Sequence, residues 1–224
     1  MRTRPVPAAA TVGATLLLLT GCGSNPLEGK TGPQVAAAAA DALEEAGAVH
    51  VSGTMTTDGQ EGQIDLQLQG EDAIGSITVG GTEIQLITAD GTVYWQAPLE
   101  FWASFGMPDG SAAMFENRWV AVPDEASADF SEFSLAGFAN ELRNPSDGAI
   151  SDEVSEGVVD GEDVVVVRQE NGSTLKVAAA DPSYPLEMSN TGDSSGTVRF
   201  DRFGETTDIS APVNPLDLSQ LAGG

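Results

Sequence analysis

The chain has few basic residues, one cysteine and one histidine, and each shortage excludes a class of function. Nine lysines and arginines oppose 34 aspartates and glutamates in 224 residues, a formal net charge of -25. This charge excludes a nucleic-acid binder, which needs a basic surface to contact phosphates, and it disfavours electrostatic docking on anionic lipid headgroups. One cysteine excludes an internal disulfide framework, and one histidine excludes a metal cluster built on histidines.

Residues that would carry catalysis are equally sparse. The single histidine, His50, alternates with Val49 and Val51 and is interpreted as a satisfied or solvated strand residue. Asp193-Ser194-Ser195-Gly196 is interpreted as a turn with no histidine near it in sequence. Among 34 acids, nothing singles out a pair suited to glycoside hydrolysis. We therefore expect no enzymatic activity, no catalytic residue, no metal site and no cofactor.

The N-terminus has the organisation of a secretory signal. Residues 1–4 carry two arginines, and an apolar run follows from Ala8 to Leu19. That run suits the core of a signal peptide and is shorter than the roughly 20 residues of a bilayer span. It ends in Leu19-Thr20-Gly21-Cys22, which resembles the bacterial lipobox and implies cleavage between Gly21 and Cys22 with acyl chains on the Cys22 sulfur. The alternative is an ordinary secretory signal that Cys22 happens to follow.

The chain is therefore divided into three parts. Residues 1–21 are the expected signal peptide, residues 22–32 an acylated cysteine with a flexible tether, and residues 33–224 a single domain. Cleavage would leave seven basic and 34 acidic residues, a net charge of -27. We expect the acyl anchor on Cys22 to hold the protein at the outer, extracytoplasmic face of the cell membrane. Arginine is more frequent than lysine, and both alanine and glycine are abundant. This composition suits the high-GC genomes of actinobacteria.

Alternating apolar and polar residues dominate the predicted domain. Gln63 to Gln69 alternates strictly, which indicates a half-buried antiparallel strand with one wet face. Helices are predicted over 34–46, where Thr31 and Gln34 have capping-box spacing and Gly47 is a natural stop, and over about 132–142. Strands are predicted at about 49–55, 63–69, 73–79, 82–89, 92–97, 118–122, 152–160, 163–170, 173–180, 185–190 and 196–203. About ten or eleven antiparallel strands with segregated helices make an α+β fold.

Several segments of the chain resemble the actinobacterial lipoproteins of the LppX/LprAFG type and, more distantly, the LolA-type lipoprotein carriers. The resemblance lies in the lipobox, the Ala-rich first helix, Val49-His50-Val51-Ser52-Gly53, Gly91-Thr92-Val93-Tyr94-Trp95, Val159-Asp160-Gly161, and Val198 to Gly204 leading to Ile209-Ser210-Ala211-Pro212. It implies a single strongly curved antiparallel sheet, a half-barrel with helices on its concave side and an apolar cavity. Family members of this kind bind acyl chains of glycolipids or lipoproteins.

Two sets of apolar residues are candidates for such a site. A ligand cavity needs aliphatic residues on one side of each strand, and the residues proposed to line it are Ile64, Leu66, Leu68, Ile84, Leu86, Val93 and Trp95. Phe101, Trp102 and Phe105 belong to an aromatic insertion at about 98–148 and are proposed to form the cavity mouth. For the first set the alternative is a filled core, and for the second a satellite core under a long loop.

The sequence thus leads to two hypotheses of different classes. In the first, a lipid-anchored extracytoplasmic lipoprotein binds or carries an apolar ligand, the acyl chains of a glycolipid or lipoprotein. In the second, a non-enzymatic surface lipoprotein with a filled core binds a membrane or cell-wall protein partner through its acidic face.

Overall fold

The computed structural model describes residues 25–57, 59–104, 109–123, 133–146, 148–191 and 194–218. Four helices and twelve strands occupy these residues. The helices are α1 Gly32–Ala46, α2 Leu99–Ser104, α3 Asp109–Ala112 and α4 Leu135–Arg143. The strands are β1 Ala48–Thr57, β2 Gln60–Gln69, β3 Asp72–Val79, β4 Thr82–Ala89, β5 Thr92–Gln96, β6 Val120–Ala121, β7 Ile150–Val159, β8 Glu162–Gln169, β9 Thr174–Ala178, β10 Pro185–Asn190, β11 Ser194–Asp201 and β12 Leu216–Asp217.

All twelve strands belong to one open sheet in the order β12-β6-β5-β4-β3-β2-β1-β11-β10-β9-β8-β7. Two meanders, β1 to β5 and β7 to β11, are joined where β1 pairs antiparallel with β11. The predicted fold, a large antiparallel sheet with a few helices, is confirmed. The predicted strand count is one short because β12 has two residues and pairs in parallel with β6, so it leaves no alternating pattern.

Helix α1 is specified by its ends and by a face of small residues. The Thr31 N–H donates to the Gln34 side chain at 3.0 Å, and Gly47 ends the helix with a φ of 71°. Its fully buried residues are Val35, Ala36, Ala39, Ala40 and Leu43. Because most of this face is alanine, the helix lies close against β1 and β7 to β10.

The inner face of the sheet carries the main hydrophobic core. Val49 and Val51 of β1 and Leu66 of β2 are inaccessible to solvent, as their alternation predicts. All four helices contribute to the same core, so they lie on one face of the sheet. The opposite face has a smaller cluster around Tyr94, against which Trp119 and Ile209 pack.

Three inward-facing glycines explain why the sheet curves toward its helices. A methyl group added at Gly75 would overlap the carbonyl oxygen of Asp65 on the neighbouring strand. Gly53 of β1 and Gly196 of β11 meet their neighbouring strands in the same way. Glycine in a strand permits this close approach of two backbones and the bending that accompanies it. The three glycines lie on β3, β1 and β11, in the middle of the sheet.

Helix α4 is held on α1 by a charged clamp. The Arg143 guanidinium donates to Glu44 at 2.6 and 3.0 Å and to Asp41 at 2.6 Å. The hydrogen bond from Arg143 lowers the pKa of Glu44 below its usual range. Both acids are well exposed, so the clamp contributes at most about 1 kcal/mol and orients α4 more than it stabilises the domain.

The two edges of the sheet differ in what they present. Strand β12 is only two residues long. Strand β7 has ten residues, and the exposed carboxylates of Asp152, Glu153 and Glu156 lie along it. Short edge strands and charged edge strands both oppose pairing with another chain.

The glycine contacts generate a stability prediction. We expect Gly53→Ala to lower the free energy of unfolding by about 1–3 kcal/mol, because its methyl group meets backbone atoms of Thr197 and Val198 that cannot move independently. Gly110→Ala is the matched control, since nothing lies within 4 Å of an added methyl there. Urea unfolding of both variants makes the measurement. Equal stability of the two variants would show that β1 and β11 tolerate a wider separation.

Candidate functional site

A cavity of about 750 Å³ lies between the inner face of the sheet and α2. It occupies the end of the β3–β4 hairpin, away from α1. Its volume is within the roughly 300–1,000 Å³ typical of small-molecule sites. Its apolar lining residues are Met55, Ile77, Val79, Ile84, Leu86, Trp95, Phe101, Trp102, Val122, Phe133 and Leu218.

Cross-strand pairs form one wall of this cavity. Ile77 of β3 is paired with Ile84 of β4, and Leu86 of β4 is paired with Trp95 of β5. Paired residues of an antiparallel sheet share a face, so this wall is continuous across three strands. The four residues are between 1% and 9% exposed.

Aromatic rings form the wall opposite the strands. Phe101 contacts Trp95 and Trp102 edge-to-face at centroid distances of 5.6 and 5.1 Å, and Trp102 packs on Phe115 at 5.4 Å. The Trp102 indole N–H donates to the Ala97 carbonyl at 3.1 Å. Because Trp102 is 1% exposed and hydrogen-bonded, it is a fixed part of the wall rather than a movable flap.

Polar groups are concentrated at the rim. Gln60, Glu100 and Ser104 are exposed and Thr82 is half-buried, while all four contribute to the cavity. An apolar interior with a few polar groups at its opening is the usual organisation of a site for an amphipathic ligand.

The proposed site residues are divided between this cavity and the packed core. Of the cavity candidates, Ile84, Leu86 and Trp95 line it. The other four, Ile64, Leu66, Leu68 and Val93, are buried in the hydrophobic core and are not part of the lining. Of the proposed mouth residues, Phe101 and Trp102 line the cavity. Gly21, Cys22 and Phe105 lie outside the described residues.

Sequence reasoning missed lining residues from distant parts of the chain. Ile77 is on β3, where the two preceding inward positions are the small residues Ala73 and Gly75, so the apolar alternation along this strand is weak. Val122 and Leu218 lie just beyond the two-residue strands β6 and β12. Such short strands carry no periodic signal that could reveal the inward direction of their neighbours.

His50 has a structural environment on the outer face of β1. It is 8% exposed, and its Nδ1 and Nε2 atoms lie 2.7 and 3.1 Å from carboxylate oxygens of Asp201 and Asp65. These contacts connect β11, β1 and β2. Both ring nitrogens of His50 therefore have a hydrogen-bond partner, and the ring links three neighbouring strands.

Gly192 to Gly196 has the Gly-x-Ser-x-Gly spacing of a hydrolase nucleophile motif, although Gly192 and Asp193 lie outside the described residues. The motif acts on a sharp connection from a strand to a helix, whereas Ser194, Ser195 and Gly196 begin the antiparallel strand β11. Within the described ranges, no group of three His, Cys, Asp or Glu side chains could hold a metal ion. Nor does any helix there have the length and hydropathy to cross a membrane.

The fold is found in mycobacterial lipoproteins. The structure of LprF from Mycobacterium bovis matches 82% of this chain and 99% of its own, at 15% identity and a TM-score of 0.55. The lipoprotein LppX of Mycobacterium tuberculosis matches 80% of this chain and 99% of its own, at 13% identity and a TM-score of 0.51. A DUF1329 family protein from Desulfovibrio piger, at a TM-score of 0.28, is too distant to support an inference. No protein-family model and no curated protein matches the sequence.

One substitution made at two places tests whether the cavity is open. Leu66 and Leu86 are both almost completely buried, but only Leu86 faces the cavity. We expect Leu66→Ala to cost about 4–5 kcal/mol and Leu86→Ala about 2–3 kcal/mol, because a side chain beside a void has fewer packing partners to lose. Chemical unfolding of the delipidated protein measures both. A cost for Leu86→Ala equal to that for Leu66→Ala would indicate a filled interior.

Proposed function

We propose that this chain, which has the fold of LprF and LppX, is a lipid-anchored extracytoplasmic lipoprotein that binds an apolar ligand. The ligand is the acyl portion of a glycolipid or lipoprotein, and its site is the cavity beneath β3, β4 and β5. The observation that carries the proposal is the cavity itself, about 750 Å³ with walls of aliphatic and aromatic side chains. No cofactor and no chemical step is needed.

Volume and free energy agree with acyl chains as the cargo. At roughly 30 Å³ for a group of the size of a water molecule, the cavity holds about 25 such groups. Burying about 12 methylenes contributes roughly 10 kcal/mol, which is comparable to the roughly 4–15 kcal/mol that association costs. One short chain would therefore bind weakly, and one long chain or two shorter chains would bind stably. Stable binding without covalent attachment is what a carrier requires.

The proposed anchor would hold the domain close to the membrane. Leu27 is 2% exposed and belongs to the core, and its N–H donates to the Asn25 side chain at 2.9 Å. Leu27, which lies within the range 22–32 expected to form the tether, therefore packs against the domain. Leu27 follows Cys22 by five positions, a reach of at most about 18 Å. A domain held this close exchanges lipid with the bilayer over a short path.

The alternative, an interaction lipoprotein with a filled core, rests on the acidity of the chain. A net charge of -25 suits a basic protein partner. It does not account for an apolar cavity of this size, so we favour the ligand-binding function. A protein that co-purifies in the absence of any lipid would favour the alternative.

Native mass spectrometry tests ligand binding directly. We expect residues 23–224, purified from an actinobacterial host, to carry discrete lipid-sized adducts that organic extraction removes. Ile84→Trp should abolish them because the larger ring fills the cavity that Ile84 lines. Thr54→Trp is the control, since Thr54 is exposed on the neighbouring part of the sheet. A bare polypeptide mass, unchanged after incubation with host lipid extract, would contradict the proposal.

The anchor is tested separately. Cys22→Ser should release the protein from the membrane fraction and prevent incorporation of a palmitate analogue, because the serine hydroxyl cannot form the thioether. Detergent phase partitioning and metabolic labelling of the full chain measure the two effects. Ser24→Ala, two residues away, should leave both unchanged. Membrane retention of the Cys22→Ser protein would mean that the anchor is not on this sulfur.

A further inference from the structure

A polar groove of about 460 Å³ adjoins the apolar cavity. It lies at the same end of β4 and β5 but on their outer side, where Gln85 and Gln96 are paired across the two strands. Thr82 and Glu100 line both the groove and the cavity. The two spaces therefore meet at one rim, so a molecule with its chains in the cavity can extend its other end into the groove.

The side chains of the groove are arranged by their own hydrogen bonds. The Gln85 amide donates to a carboxylate oxygen of Glu83 at 2.5 Å, and the Gln96 amide donates to the carbonyl oxygen of Asn117 at 2.9 Å. Each amide keeps its carbonyl oxygen and a second N–H available, since an amide has two donors and one acceptor oxygen. Neighbouring carboxylates add acceptors. This mixture suits hydroxyl groups, which both donate and accept.

The charge of the groove is of one sign. Glu83 and Glu100 contribute carboxylates, and the lining contains no lysine, arginine or histidine. Seven basic residues follow position 24, all of them within the described ranges, and none lines the cavity or the groove: Lys30, Arg118, Arg143, Arg168, Lys176, Arg199 and Arg202. Arg118 follows Asn117 in the chain but is not part of the lining. A phosphate would meet like charge and no cationic partner, since phosphate sites are built from arginine, lysine or helix N-termini.

From this arrangement we propose that the groove is a headgroup subsite that selects an uncharged, hydroxyl-rich headgroup and rejects anionic phospholipids. The ligand class is then a neutral glycolipid, with acyl chains in the cavity and sugar hydroxyls on Glu83, Gln85, Gln96 and Glu100. This proposal rests on the proposed function, because the headgroup is positioned by chains held in the cavity. It adds a basis for discrimination that the apolar walls, which contact only methylenes, do not provide.

Three lipids with identical acyl chains separate the two proposals. Dilauroylglycerol, monogalactosyl dilauroylglycerol and dilauroyl phosphatidylglycerol are titrated into delipidated residues 23–224, which contain every described residue, and binding is followed by tryptophan emission. We expect the galactolipid to bind at least tenfold more tightly than the phospholipid, with dilauroylglycerol between them. Equal or tighter binding of the phospholipid, with dilauroylglycerol still bound, would overturn the headgroup proposal alone. Failure of all three lipids to bind would overturn the proposed function and this proposal with it.

Free galactose is a fourth ligand in the same titration. We expect no saturation at millimolar sugar, because without acyl chains the groove offers few contacts. Free galactose binding as tightly as the galactolipid would make the groove an independent sugar site and overturn its assignment as a headgroup subsite.

A charge reversal at Glu83 tests the role of the groove. We expect Glu83→Lys to increase affinity for dilauroyl phosphatidylglycerol at least fivefold and to leave dilauroylglycerol affinity unchanged. Glu71→Lys makes the same change in net charge in the β2–β3 turn, at the other end of the strands, and should alter phosphatidylglycerol affinity less than twofold. Glu83→Gln is the milder variant if the Glu83→Lys protein is unstable, and we expect it to increase affinity for phosphatidylglycerol about twofold. Equal gains at Glu83 and Glu71 would show that overall charge, not the groove, governs headgroup choice.

Discussion

Close contact between strand backbones, made possible by glycine, determines the shape on which everything else depends. At Gly53, Gly75 and Gly196 the neighbouring strand occupies the space where a side chain would be. These positions face inward, so the sheet bends over its own inner face and leaves a concave space. A flat sheet with the same alternation would have needed a second sheet or a full layer of helices to cover it. Curvature allows the four helices of the described ranges, two of them very short, to cover the inner face instead.

The concave space is occupied differently at its two ends. Under β1 and β7 to β10 it is filled by α1, whose alanines allow the helix to approach the sheet closely. Under β3 to β5 the covering element is the six-residue α2, which is too short to fill the space and leaves the cavity beside its aromatic rings. The fold thus combines a packed half, which supplies stability, with an open half, which contains the cavity. The unequal lengths of the two helices produce this division.

The sequence predicts the parts of this architecture that depend on local periodicity. Strict alternation located β2, and capping residues located α1 to within two residues. The short helices α2 and α3 were not predicted, because a few residues among clustered aromatics carry no 3.6-residue period. The lining of the cavity includes only some of the residues that the sequence suggests for it. Alternation reveals which side of β4 is apolar, but it cannot show whether a helix or empty space lies opposite Ile84. The answer depends on tertiary folding, which also brings the lining residues Val122 and Leu218 to the cavity from distant parts of the chain.

The acidic edge of the sheet has a consequence for molecules crowded on a surface. Two copies meeting along β7 would bring together the carboxylates of Asp152, Glu153 and Glu156 from each, while the opposite edge, β12, is too short to add a strand. The repulsion between these carboxylates acts over a Debye length of about 8 Å at physiological ionic strength. The acidity of this edge therefore acts as a spacer that keeps neighbouring domains apart wherever many copies are crowded together.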